Sequence, residues 1–172
     1  GEIVLGVSEN GDVVSVSAAD GAIRLQKKVL DQVTTEPFIS GPGVLFVTNG
    51  VEVDSVDISN FQVQTVGKAA FKIRDLFGFE DDELAWGDDR GFVTAFSIGS
   101  GKDKWQFKTG AAVTSIARPD GLLLVGSNDN FIYALSTGSG ERVWKKRISD
   151  RIASLLVIDD DTVLIETIGQ KV

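Results

Sequence analysis

The sequence predicts an all-β protein built from a repeated unit of about 40 residues. The clearest evidence is a pair of segments, 87–105 and 126–144, which match one another at a constant offset without a gap. Four small residues extend the repeat along the chain, because they recur at nearly the same interval. These anchor residues are Ser15, Ser55, Ala95 and Ala134.

Each repeat has the pattern of short β-strands. Segment 53–58, for example, alternates apolar with polar or small residues, which is the period of a strand with one buried face. Turn-forming pairs such as Asn10-Gly11 and Asp120-Gly121 separate the strands. No stretch has the spacing of an amphipathic helix. Four strands in each repeat are typical of a propeller blade, so we predict a β-propeller of four-stranded antiparallel blades.

The period also places each strand within its blade, with strands labelled A to D from the centre outward. The A strands are predicted near 33–39, 72–78, 112–117 and 151–157, and the B strands near 2–7, 44–48, 84–87, 122–126 and 162–167. The C strands carry the anchor residues, and the D strands are predicted to end at Leu25, Thr65, Trp105 and Trp144. One domain, 1–172, thus contains repeats 1–30, 31–67, 68–109 and 110–148 and a partial repeat 149–172.

The predicted strand order gives about four blades in a partial ring. The chain opens with strands B, C and D and ends with A and B. Pairing the last A strand with the opening three strands would close four blades but leave the final B strand surplus. We therefore expect part of a larger ring, or a ring completed by a partner or in a homodimer. Segment 163–165 is predicted to be covered by the rest of the ring or by another chain, because bare apolar strand edges promote aggregation.

Composition argues against several classes of function. The chain has no Cys and no His, which removes disulfides, thiolate nucleophiles and histidine acid–base catalysis. Its net charge is −8 without a basic cluster, so nucleic acid is not an expected partner. No apolar run approaches the roughly 18 to 20 residues that cross a bilayer, and no signal peptide opens the chain, so we expect no membrane insertion. Because the sequence lacks Met and starts at Gly1, we expect a processed or excised piece.

Segments 95–105 and 134–144 carry a recognisable motif. In each, a small residue, a glycine and a tryptophan have the same spacing. The motif resembles the tryptophan-docking motif of the pyrroloquinoline-quinone-like (PQQ-like) repeat, A-x-D-x-x-T-G-x-x-x-W, with Ser in place of the Asp and of the Thr. The resemblance implies that neighbouring blades are held together by Ala95, Gly101, Trp105, Ala134, Gly140 and Trp144. The first two repeats depart from the motif, with Leu25 and Thr65 at the tryptophan position.

The family resemblance leaves two functions open. The family includes quinoprotein dehydrogenases, which bind quinone and calcium, and non-catalytic propellers such as the outer-membrane assembly lipoprotein BamB. The adjacent-cysteine disulfide of the dehydrogenases has no counterpart in a chain without Cys. We therefore expect a non-catalytic, BamB-like protein-binding scaffold with no cofactor and no metal. A segment of a quinoprotein oxidoreductase is the alternative. The resemblance also implies a compartment outside the cytoplasm, either the periplasm or the ER lumen.

The B–C and D–A loops of a propeller gather on one face, where exposed loops on a rigid scaffold suit recognition. Their mixed charge suits a polar protein partner, although it also fits any solvated loop. Trp86 is predicted to lie in the core, with contact to a ligand at the mouth of the ring as the alternative. The candidate partner-binding residues are Asp88, Asp89, Arg90, Asn128, Asp129, Asp150 and Arg151.

Overall fold

A computed structural model of the chain describes residues 2–40, 43–80, 82–119, 121–159 and 161–169, without the side chains of residues 79 and 80. Within these ranges the chain forms strands β1 to β17, arranged as five antiparallel sheets. None of the described segments is a helix long and apolar enough to cross a membrane. The prediction of an all-β protein is confirmed.

Each sheet consists of strands that are consecutive in the chain, as expected for propeller blades. Blade 1 contains β1 (Ile3–Val7), β2 (Asp12–Ser17) and β3 (Ile23–Lys28). Blade 2 contains β4 (Phe38–Ser40), β5 (Val44–Thr48), β6 (Glu52–Asp57) and β7 (Val63–Lys68). Blade 3 contains β8 (Ile73–Glu80), β9 (Glu83–Asp88), β10 (Phe92–Ser97) and β11 (Lys102–Lys108). Blade 4 contains β12 (Val113–Ala117), β13 (Leu122–Ser127), β14 (Phe131–Ser136) and β15 (Arg142–Arg147), and blade 5 contains β16 (Arg151–Asp159) and β17 (Thr162–Ile168).

The two ends of the chain have the predicted strand order. Blade 1 has three strands and blade 5 has two, and among the described residues neither β16 nor β17 pairs with β1. The outer edge of β17 therefore pairs with no other strand of the part of the chain that the structure describes, and Leu164 is 56% exposed. Coverage of this edge by further polypeptide stays a prediction.

The strand bounds differ from the prediction mainly in the A strand of blade 2 and in the D strands. Blade 2 has a short A strand, β4. In the segment before it, the Thr34 N–H still donates to the Thr48 carbonyl at 2.9 Å, and the hydroxyls of Thr34 and Thr35 bond to the Thr48 hydroxyl at 3.0 and 3.1 Å. Pro37 has no N–H to contribute to a sheet. All four D strands continue past their predicted ends, so these residues lie inside β3, β7, β11 and β15: Leu25, Thr65, Trp105 and Trp144.

Blade 2 also differs in register. Each anchor residue of blades 1, 3 and 4 lies opposite the residue at the tryptophan position, as Ala95 does opposite Trp105. The pairing of the C and D strands contains a β-bulge in each of blades 1 to 4. In blade 2 this bulge falls later along the D strand, and Ser55 lies opposite Gln64. Thr65 instead lies opposite Asp54 and donates its hydroxyl proton to Oδ1 at 2.6 Å. The equivalence of Thr65 with the tryptophan position holds in sequence but not in the sheet.

The hydrophobic core is divided into four clusters, one between each pair of consecutive blades. The cluster between blades 1 and 2 is built around Phe61, a C–D turn residue that is 2% exposed and has φ 56°. At the same turn position blades 1, 3 and 4 have glycine, which adopts positive φ without steric cost. Burial of the phenylalanine ring offsets the backbone strain at this one turn. Trp86 is 2% exposed and lies in the cluster between blades 2 and 3.

Candidate binding surface

The junction between blades 3 and 4 is closed by Trp105. Its indole Nε1–H donates to the Thr137 carbonyl of blade 4 at 2.7 Å. The ring lies against Gly140, where a Cβ atom would come within 2.5 Å of the indole, so only glycine fits. Ala95, opposite Trp105 on β10, is fully buried.

The same motif has different surroundings at the other positions. Trp144 lies opposite the buried Ala134, yet its side chain is 42% exposed. The described part of blade 5 has only two strands and supplies no C–D turn for the indole. Gly101 has φ 64°, and nothing lies within 4 Å of the place where its Cβ would be.

The B–C turn of blade 3 contains three candidate partner-binding residues, and they have different roles. Asp88 is only 3% exposed, and its Oδ1 accepts hydrogen bonds from the backbone N–H groups of Arg90 and Phe92, both at 2.9 Å. This carboxylate shapes the turn, which corrects its assignment as an exposed contact residue. Asp89 and Arg90 are exposed.

The remaining candidates lie on the B–C turn of blade 4 and at the loop between blades 4 and 5. Asn128 accepts a hydrogen bond from Arg151 Nε at 3.1 Å, which brings these two predicted residues together. Asp129 accepts bonds from the Tyr133 hydroxyl and from the Gly110 N–H. Burial, and secondly the bond to Asp129, raise the pKa of Tyr133. Asp150 accepts a hydrogen bond from the hydroxyl of the neighbouring Ser149 at 3.0 Å.

Beside the B–C turn of blade 3 lies a group of side chains of which the sequence analysis identified only Arg90. Phe71 is 39% exposed and stacks on Phe92 with ring centroids 5.9 Å apart and planes 8° apart. Arg90 lies 5.8 Å from the centre of the Phe71 ring, and Lys108 Nζ lies 5.0 Å from that of Phe92. We call these four residues the aromatic–cation patch.

The next repeat contains part of the same arrangement. Phe131, the counterpart of Phe92 one repeat later, is covered in a similar way by Lys145 at 4.4 Å. The two lysines are not at equivalent positions, since the counterpart of Lys108 is Arg147, so the recurring phenylalanine was the available sequence signal for the patch. Phe71, however, has no aromatic counterpart in the next repeat, so the pattern alone did not point to a stacked pair.

The A strands of blades 2 to 5 enclose a cavity of about 540 Å³ on the inner side of the sheets. Asp75 on β8 lines it and accepts a hydrogen bond from the Ile116 N–H of the next blade at 2.6 Å. One repeat later, the Ser115 hydroxyl oxygen accepts the Leu155 N–H at 3.1 Å. Sequence reasoning missed these bridges, although Asp75 and Ser115 follow the repeat period.

Asp75 is the ionisable group most affected by this setting. Burial raises its pKa from 3.8 to about 6, and the nearby charge of Glu36 acts in the same direction. The hydrogen bonds from the backbone N–H groups of Ile116 and Leu76 favour the carboxylate and oppose the shift. The cavity wall therefore contains one carboxyl group that titrates near pH 6.

The cavity does not fit a calcium-bound quinone. Its buried carboxylate already uses one oxygen on the Ile116 N–H and the other on the Leu76 N–H at 2.9 Å. Among the residues that the structure describes, no three Asp, Glu, His or Cys side chains are grouped to hold a metal ion. Calcium prefers six to eight oxygen ligands, which this donor set does not supply.

Solved structures of low sequence identity share the fold. The computationally designed Ika8 protein matches with a TM-score of 0.75 and 17% identity over 98% of this chain and 56% of that chain. The designed Ika4 protein matches with a TM-score of 0.64 and 18% identity over 80% of this chain and 91% of that chain. A chain of the mitotic checkpoint complex matches with a TM-score of 0.78 and 19% identity over 91% of this chain and 51% of that chain. The chain thus spans about half the length of the first and third of these, and at this level of identity the likeness shows the fold alone.

Family membership rests on the sequence itself. Among curated proteins, none matches the chain. One family profile matches residues 77–172, which is more than half of the chain and contains both copies of the tryptophan motif. The chain therefore belongs to the PQQ-like repeat family described as outer membrane protein assembly factor BamB, and its fold is a β-propeller of four-stranded blades.

Proposed function

We propose that the chain is a non-catalytic scaffold that binds a protein partner, with a BamB-like role in the assembly of envelope proteins as its most specific form. The observation that carries the proposal is the aromatic–cation patch. Phe71 exposes 39% of its surface beside Arg90, and aromatic and arginine side chains dominate the binding energy of protein interfaces. Arg90, Lys108 and the exposed Lys72 are positive in a chain of net charge −8. This surface suits an acidic segment that also carries apolar side chains.

Family membership supports the proposal at a coarser level. Propellers carry unrelated functions, so the fold by itself assigns none. The patch lies on the B–C and D–A loops and on the strand ends beside them, at turns fixed by hydrogen bonds such as Thr109 N to Gly91 O at 2.9 Å. A rigid framework lowers the entropy that the loops lose on binding.

Site-specific photo-crosslinking in the cells that produce the protein tests this function. A photoreactive phenylalanine analogue at position 71 is expected to crosslink one discrete protein. The same analogue at Ser139, an exposed residue of a C–D turn, serves as the matched control and should not. Crosslinking that is equal at both positions would contradict the proposal.

Charge reversal then tests the patch quantitatively with the purified partner. Arg90→Glu is expected to weaken binding about tenfold or more, because it replaces the cation over Phe71 with a carboxylate that an acidic partner would repel. Lys146→Glu makes the same charge change on an exposed part of β15 and should alter affinity less than twofold. Equal effects of the two variants would show that binding follows net charge and not the patch.

A further inference from the structure

The junction between blades 2 and 3 lacks the tryptophan that closes the next junction. In blade 4, Gly140 lies beneath the indole of Trp105. Its counterpart in blade 3 is Gly101, one repeat earlier, and the space above Gly101 is open. The side chain of Thr65, which stands at the tryptophan position in sequence, is held by its 2.6 Å bond to Asp54. Strand β7 therefore supplies no ring to this junction.

The open space forms a shallow groove of about 530 Å³, largely open to solvent, along β7 and the start of β11. We call it the β7–β11 groove. It is lined by Thr65, Val66, Gly67, Lys68, Phe96, Gly101, Lys102 and Asp103. A second cavity of about 220 Å³ adjoins it, since Lys68 and Asp103 line both, and it reaches the buried Trp86 and Thr94.

The lining of the groove suits a flat aromatic ring. Gly67 has no side chain to fill the space, and a Cβ placed there would lie 3.4 Å from the Phe96 ring, so backbone and ring form one apolar wall. Ile98 is the sequence counterpart of Thr137, whose carbonyl accepts the indole N–H of Trp105. An indole offers both the flat face and the single N–H donor for such a position.

We propose that the β7–β11 groove binds an indole ring, presented as a tryptophan side chain by a protein partner, in the way that blade 4 receives Trp105. The inference rests on the proposed function only in naming a protein as the source of the ring. The groove contains none of the four residues of the aromatic–cation patch, although Phe71 and Phe92 line the adjoining cavity. The indole titration and the charge-reversal variants therefore probe different side chains, and the two proposals can fail separately.

Titration of the ¹⁵N-labelled chain with N-acetyl-tryptophanamide, followed by amide chemical shifts, tests the site. Saturable shifts are expected at Gly67, Gly101 and Lys102. Two variants distinguish the groove from other exposed apolar surface. Gln64→Trp, which lies opposite Ser55 as Trp105 lies opposite Ala95, fills the groove and should abolish these shifts, whereas Gln64→Leu changes the same residue without filling the groove and should retain them. Shifts that do not saturate, that survive in Gln64→Trp, or that are confined to blade 5 would overturn the proposal.

Opening the next junction provides a positive control. Trp105→Ala vacates the place of the indole above Gly140, so the probe should then produce a second set of saturable shifts at that residue. One result would overturn the proposal: shifts at Gly140 in this variant together with no shifts at Gly101 in the native chain. The probe would then bind a vacated tryptophan position, and the β7–β11 groove would not be such a position. The titration of the native chain is decisive even if the variant does not fold.

Discussion

The two tryptophans of the repeated motif have similar neighbours in sequence but different surroundings in space. Trp105 makes a hydrogen bond to the next blade and packs against Gly140, whereas Trp144 is 42% exposed. The contribution of each to stability therefore depends on whether a C–D turn of the following blade lies against it.

Replacing the two tryptophans measures this difference. Trp105→Ala is expected to lower the free energy of unfolding by about 3 to 5 kcal/mol, because it leaves a cavity between two blades and an unpaired carbonyl at Thr137. Trp144→Ala should lower the free energy of unfolding by less than about half of that amount, since the Trp144 ring is already partly in water. Urea denaturation of both variants provides the comparison. Equal losses would contradict a docking role specific to Trp105.

Asp75 should make the stability of the chain depend on pH. Its pKa is about 6 in the folded chain and 3.8 without the fold, so the folded chain binds the proton more tightly between these values. The contribution of this group is therefore most favourable below about pH 4 and is lost as the pH rises through about 6. A shift of this size corresponds to roughly 3 kcal/mol.

Asp75→Asn isolates that contribution. The variant cannot ionise, so the difference in unfolding free energy between variant and native chain should shift in favour of the variant from pH 4 to pH 7. Urea titrations at several pH values measure it. Asp20, Glu52 and Asp57 have lowered pKa values and act in the opposite direction, but they are common to both proteins and cancel in the difference. A difference independent of pH would show that Asp75 is not the responsible group.

At the scale of strands, β17 combines an unpaired edge with exposed apolar side chains. Leu164 and Ile168 are 56% and 60% exposed, and unpaired edges of this kind invite pairing with another chain. We expect the isolated chain to associate as its concentration rises. Leu164→Lys with Ile168→Lys should reduce the association, because charges on an edge strand oppose it, while Thr167→Lys on the same strand serves as the single-charge control. Light scattering over a range of concentrations is the measurement, and a native chain that stays monomeric throughout would contradict the expectation.

The success of the sequence prediction also differed from strand to strand. The B strands of blades 2 and 4 were predicted to within one residue, because apolar runs there are bounded by turn residues at a fixed period. Strand β4 and the register of β7 were not predictable in the same way. They depend on the contacts of Thr34 and Thr35 with Thr48 and on the pair Asp54–Thr65, which join residues 11 to 14 positions apart.

At the scale of the whole molecule, the motif predicted which residues pack between blades better than which residues face a partner. Trp105 and Gly140 were identified because their spacing is constant. Arg90 was a candidate, but its contact with Phe71 was missed because the two residues come from different loops and meet only when blades 2 and 3 are side by side. Asp88 was assigned to the exposed surface because a turn sequence does not show which of its carboxylates bonds to the turn itself.

Binding of quinone and calcium distinguishes the scaffold from the oxidoreductase alternative. We expect no saturable heat when pyrroloquinoline quinone is titrated into the chain with millimolar calcium, because the carboxylate of the inner cavity is occupied by backbone N–H groups. Isothermal titration calorimetry at pH 7 is the measurement. Calcium-dependent, saturable binding that Asp75→Asn abolishes would restore the oxidoreductase hypothesis.

The order of the strands also has a consequence for how the chain acquires its structure. Every sheet is made of strands that follow one another directly, and the core clusters join only consecutive blades. A blade can therefore form as soon as its own strands have left the ribosome, and each finished blade offers an apolar face to the next. Folding during synthesis would then advance blade by blade from the N-terminus, with short loop closures at each step.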